Sequence, residues 1–386
     1  MSLQPPVAGR IRAAGATGVG SLAPFHSCSS PRRVLLYGLP VYTALHMKLA
    51  TYKDGSRDGQ LVVVSRDLRL AHYATGIASR LQQVLDDWGF MAPQLQDLYH
   101  QLNTGRAPHA FAFDPMQCMA PLPRAYQWLE GGAYPSHLAL TQPDWTLPGT
   151  EPVLRQGAGD SLSGACEEVV VPSAALGVDF GAGLAAITGD VPMGSTPEQA
   201  LFGIRLLMLC NSWNLRQLMP TPPEAGWGPV HAWPSLGCSP VAVTLDELGE
   251  AWRGGRVHLP LHSSWNGRKV GMCEAGEDMA FHFGQLLAQA CKTRSLRAGT
   301  VVGSGVVSNQ GVTSGRGAAR RTEWSKGFHS IAEKRAMELQ QQEQATTGFL
   351  QFGDTVRIEM KGKDGQSLFG AIDQTLVSPQ GDGSDD

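Results

Sequence analysis

The side chains able to do chemistry are spread thinly along this 386-residue chain. Its seven cysteines are odd in number and include no Cys-x-x-Cys pair, which argues against a disulfide framework or a structural zinc site. A reducing compartment, the cytoplasm, is the simpler reading. Cys210 lies in an apolar run and reads as a buried strand residue. His231 and His262 are isolated, and read as structural histidines rather than ligands. Ser212 has no base at the spacing a nucleophilic triad needs. The Gly- and Ser-rich stretch 310–326 carries Arg316, Arg320, Arg321 and Lys326. It reads as a solvated insertion, with a flap that attracts an anionic ligand as the alternative.

The composition sets the frame for these residues. At 42% hydrophobic and 17% charged, the chain can bury a large core. Its 31 Lys and Arg against 34 Asp and Glu give a net charge of -3, which argues against a nucleic-acid binder. No apolar run reaches the roughly 18 residues of a membrane helix, so no membrane partner is expected. With 46 Gly and 25 Pro, short strands and turns are favoured over long helices. Residues 1–46 contain no Asp or Glu and carry Arg10, Arg12, Arg32 and Arg33. They read as an extension upstream of Met47, a transit peptide being the competing reading. The polar tail 378–386 is expected to be disordered.

From Met47 the pattern becomes globular. Strands are expected at 47–52 and 60–65, around the turn Asp54-Gly55-Ser56. Helices follow at 76–87, from Ile77, Leu81 and Val84/Leu85, and at 91–103, from Leu95, Leu98 and Leu102. These make a small N-terminal αβ domain over 47–118. The Pro-rich segment 120–124 leads into a second domain, 119–377, with strands at 166–171, 183–188, 203–211, 257–261, 299–308 and 354–360. Thr196 and Pro197 start one helix, and 278–292 forms another. A hairpin turn is expected at 361–365. The fold class is mixed α/β and β-rich, a β-roll behind a small αβ domain.

Several strings in the second domain, taken together, resemble the fumarylacetoacetate hydrolase superfamily, most closely its bacterial members. They are APLPRAYQWLEGGAY at 120–134, GDVPMGSTPEQAL at 189–201, LRAGTVVGSGVVSN at 296–309, HSIAEKR at 329–335 and FLQFGDTVRIEM at 349–360. The resemblance implies a β-roll catalytic domain, usually in a homodimer. It also implies hydrolysis of carbon–carbon bonds in diketo acids, or related decarboxylase and hydratase chemistry on acylpyruvate-like compounds. Such a bond breaks when water attacks one carbonyl and an enolate leaves, which a chelated divalent cation stabilises. Mapped onto this chain, the resemblance makes His137 the general base, Glu333 the carboxylate that orients it, and Glu130 the first metal ligand.

Elsewhere the family pattern is broken. The positions of a Glu-x-Glu metal pair hold Gly181 and Gly183, and that of the last metal aspartate holds Ser212. A family lysine falls on Trp233, a threonine on Val306, a tyrosine near Arg155 and an arginine near Trp145. With one carboxylate left, Mg²⁺ or Mn²⁺ is expected to bind weakly, if completed by ligand oxygens. Asp179 reads as a surface or hairpin residue too far along its strand to substitute. The glycines should empty volume and the tryptophans line it, giving a larger apolar pocket.

Three functions remain open. One is hydrolysis of a keto or diketo acid through His137 and Glu333, with weak metal or none. Another is a catalytically silent partner protein. The third is a recruited enzyme doing dehydration, isomerisation or cyclisation on a bulkier apolar ligand.

Overall fold

A single sheet of eleven strands forms the spine of the molecule. The computed structural model describes residues 44–143, 149–219, 230–315 and 321–379. The readings made for 1–43, for Trp145, Arg316 and Arg320, and for 380–386 lie outside the described residues. An interior strand of the spine, Ala182–Thr188, shows why the sheet is covered on both faces. Side chains alternate along a strand, and here Leu184 and Ala186 enter one core while Ala185 and Ile187 enter another. Its antiparallel neighbour Ile204–Ser212 divides likewise, with Leu207 and Leu209 to one core and Leu206, Met208 and Cys210 to the other. The apolar run that carries Cys210 is thus a buried strand.

Two helices, Leu81–Asp86 and Trp88–Asn103, fill the second core through Leu81, Val84, Leu85, Leu95 and Leu102. Their ends differ by a few residues from those expected. The first core is closed by a five-stranded sheet, to which Leu261, Val356, Ile358 and Leu376 contribute. The 47–52 segment appears as Lys48–Tyr52 and joins the main sheet at both edges, pairing with Gln60–Val64 and with Ala242–Val243. Thr196 caps Pro197–Leu201, its hydroxyl accepting from Gln199 N at 3.3 Å. The expected 278–292 helix is shorter, Phe283–Ala290, because His282 caps it. No helix among the described residues is long and apolar enough to cross a membrane.

Two helices were not anticipated. Pro135–Thr141 and Ile331–Gln342 carry His137 and Glu333. The 310–326 stretch is also more ordered in its flanks than an irregular insertion, since Val312–Ser314 pairs with Arg321–Glu323.

Asp179 corrects a further expectation. It is fully buried rather than on a surface. Its carboxylate accepts from Ile331 N at 2.6 Å and Ala332 N at 3.1 Å, and from Arg216 Nε at 2.9 Å. A helix N-terminus exposes unpaired N–H groups and a partial positive charge, so a carboxylate there is stabilising. Asp179→Ala would strand both the helix end and the mostly buried Arg216. It is expected to lower stability by about 3–5 kcal/mol, read as a fall in the urea midpoint. An unchanged midpoint would show that Asp179 does not carry the helix.

Candidate active site

His137 and Glu333, 196 residues apart, meet at a distance of 3.0 Å between Nδ1 and Oε1. Each comes from the first turn of a short helix. Tyr134 anchors one of them, its buried hydroxyl donating to Ala275 O at 2.6 Å just before Pro135 opens the turn. For the other, Ser330 is the N-cap, its hydroxyl accepting from Glu333 N at 3.2 Å. The sequence Ser330-Ile331-Ala332-Glu333 has the capping-box spacing. Glu333 turns back accordingly, though its Oε2 accepts from His329 N at 3.0 Å rather than from the cap residue.

Burial alone would push the Glu333 carboxyl up. The His137 ring, the His329 N–H and Ser308 outweigh it and hold the group below the usual carboxylate range. An ionised carboxylate only accepts, so His137 Nδ1 carries the proton and Nε2 is the basic nitrogen. His329 supports this from below. Its ring, fully buried, is fixed by Ser263 Oγ at 2.6 Å and by Cys273 N, which donates to Nε2 at 3.2 Å. Burial drives its pKa down to about 4, which leaves it neutral. The sequence string containing His329 gave no sign of this role beyond its place beside the cap.

A second group lies on the edge strands. Glu130 and Arg155 are direct register partners on Gln127–Gly131 and Leu154–Gly157, so their side chains share one face. Arg155 Nη2 is 3.7 Å from Glu130 Oε2 and donates to Ser212 Oγ at 3.4 Å. The Arg155 guanidinium carbon stands 3.7 Å from the centre of the Trp233 ring, a cation–π contact. Glu130 is only 8% exposed, and its Oε2 has no hydrogen-bond partner among the described residues. Burial raises its pKa, against the opposing pull of Arg155, Ser212 and His137. Burial likewise lowers that of Arg155, to about 10.

The glycine positions are closed rather than hollow, which corrects the expected enlargement. A Cβ at Gly183 would stand 2.5 Å from the Gly305 carbonyl oxygen, and one at Gly181 would be 3.0 Å from both Ser212 O and Val306 Cγ2. The cause is a bulge. Between Gly303 and Val306 three steps of one strand face two of its neighbour, and Gly305 takes φ +79° to make the turn. Val306 thus lies against Gly181, at the edge of the site. Trp233 lies on Arg155 rather than lining an empty wall. His231 is exposed on the single helical turn Val230–Ala232 and His262 sits on Pro260–Trp265; among the described residues neither hydrogen-bonds to His137, Glu333, Glu130 or Arg155.

Residues 47–124 match the fumarylacetoacetase N-terminal domain 2 family, and residues 128–377 match the fumarylacetoacetate (FAA) hydrolase C-terminal family. The chain belongs to the fumarylacetoacetate hydrolase family. No curated protein matches it. Among solved structures, its fold is similar to a fumarylacetoacetate hydrolase from psychrophilic Exiguobacterium antarcticum, at 18% identity and TM-score 0.57, covering 86% of this chain and 99% of that one. It is also similar to maleylpyruvate hydrolase from Sphingobium sp. SYK-6, crystallised with manganese(II) and pyruvate, at 15% identity and TM-score 0.56, covering 86% and 100%. A 2-hydroxyhepta-2,4-diene-1,7-dioate isomerase from Mycobacterium marinum is similar at 13% identity and TM-score 0.53, covering 88% and 100%.

The family resemblance implies a divalent cation, and the residues present do not fit one. A hard cation needs several oxygen donors with compensating charge. Glu130 is the one carboxylate at the implied positions, and a guanidinium faces it. Asp179 is committed to Arg216 and the Ile331–Gln342 helix. Among the described residues no three His, Cys, Asp or Glu side chains group as metal ligands.

The glycine geometry makes a direct prediction. Gly183→Glu forces a side chain against the Gly305 backbone, so it should lower the thermal midpoint and bind Mg²⁺ no better than wild type by calorimetry. A stable variant that gains Mg²⁺ affinity would contradict the closed site.

Proposed function

We propose that this fumarylacetoacetate hydrolase family member hydrolyses a carbon–carbon bond in a keto or diketo acid, with the His137–Glu333 couple activating water. The observation that carries this reading is the 3.0 Å contact between His137 Nδ1 and Glu333 Oε1. That contact fixes the tautomer, so Nε2 can take a proton from water as the oxygen attacks a carbonyl carbon. The bond to the neighbouring carbon then breaks. Its electron pair forms an enolate, and a proton returned to that carbon completes a 2-oxo acid and a second acid. Glu130 suits the return, because burial keeps a proton on it at a pH where an exposed carboxyl has lost its own.

The opposed directions at Glu130 and Glu333 also support a second reading, isomerisation. His137 Nε2, oriented by Glu333, would remove a proton from carbon and Glu130 would supply one, with no water consumed. Product analysis separates the two, since only hydrolysis splits the substrate.

Substitution tests either reading. His137→Ala should abolish turnover of an acylpyruvate. Glu333→Gln would present an amide N–H to Nδ1, favour the wrong tautomer, and lower kcat by about 10²–10⁴. Full activity in both variants would remove the couple from the chemistry. The pH profile carries a sign. Glu333 titrates below the usual range, so it stays ionised as pH falls through the region where carboxylates ordinarily protonate. An acid limb of the kcat profile that disappears in Glu333→Gln while activity persists would contradict this.

A further inference from the structure

We propose that Arg155 is the resident cation of this site, binding the carboxylate or enolate of the ligand without a metal ion. Three features of its placement support this. Arg155 faces the buried carboxyl of Glu130 and the hydroxyl of Ser212, where the family resemblance places cation ligands. Its guanidinium carbon lies over the Trp233 ring, 3.7 Å from the ring centre. A ring against one face of a guanidinium leaves its edge N–H groups to address an anion. Arg155 nonetheless does not satisfy Glu130. Their 3.7 Å separation exceeds a hydrogen bond, and Oε2, on a side chain more than nine-tenths buried, has no partner among the described residues.

A buried oxygen in that condition calls for a donor or acceptor from outside. A planar anion set beside the pair, with an oxygen in reach of both the guanidinium edge and Oε2, supplies it. Its charge is met by the N–H groups of Arg155. The nearby cation Arg216 is not available for this role, being paired with Asp179 at 2.9 Å. The ligand class is therefore a carboxylate with an adjacent keto or enolate oxygen. That choice rests on the keto-acid reading above, but binding does not depend on turnover.

Oxalate, planar and inert, is a suitable probe. Calorimetric titration of wild-type protein in EDTA and in Mg²⁺ should give the same affinity within about twofold. Arg155→Gln should weaken oxalate by about tenfold or more, the scale of one charge-assisted hydrogen bond. Arg155→Lys, which keeps the charge but loses the planar fork, should fall between them. Binding lost in EDTA and restored by Mg²⁺ would overturn the proposal, as would an Arg155→Gln variant that binds like wild type. Should Arg155→Gln fail to fold, the EDTA comparison and Arg155→Lys still decide. Oxalate bound in EDTA with no acylpyruvate turned over would refute the hydrolase reading and leave this one standing. Turnover abolished by EDTA would do the reverse.

Discussion

One buried carboxylate, Glu333, joins the parts of the site that the chain keeps far apart. One oxygen holds the His137 ring and the other holds the backbone of His329, while its own N–H is taken by Ser330. This works only if the helix it begins is pinned in place. Asp179 does the pinning, with Arg216 balancing its charge. The arrangement is economical in charge, because every ion in it is met by an opposite ion, an N–H group or a helix end. A buried carboxylate without such partners would take up a proton and cease to orient a base.

The Glu130 cluster follows the opposite logic. Its carboxyl is buried with too little compensation, and so tends to keep its proton, while the neighbouring guanidinium supplies the positive charge. Two carboxyls in one neighbourhood are thus driven in opposite directions by their surroundings. The glycines at 181 and 183 fit this picture. They are not gaps left by lost ligands. They allow strands to approach across the Gly305 bulge, at a closeness that a side chain would prevent.

Much of the scaffold was legible in the sequence because its signals are local. A continuous apolar run marks the strand at 60–64, alternating apolar residues mark that at 355–360, and Thr196-Pro197 marks a helix start. The two helices bearing His137 and Glu333 were missed for identifiable reasons. Pro135–Thr141 is seven residues long with no side-chain cap, and Ile331–Gln342 is polar along most of its length. The Ser330-x-x-Glu333 spacing and Pro135 at a first helical position were the signals available. Family resemblance supplied the pairing of His137 with Glu333, which no local pattern could. The partnership of Glu130 with Arg155 depends on strand register, and that of Asp179 with Arg216 on the pairing of Val178–Asp179 with Asn214–Leu215. Such contacts are decided by tertiary packing, as is the closing of space above Gly183.

The account turns on which positive charge this site uses. A crystal of the protein soaked with Mn²⁺ and oxalate, measured at a wavelength where manganese scatters anomalously, would answer this directly. The account predicts oxalate against the Arg155 edge, with Glu130 Oε2 in hydrogen-bond contact and no anomalous peak between them. A manganese ion coordinated by Glu130 and oxalate, with Arg155 displaced, would contradict it.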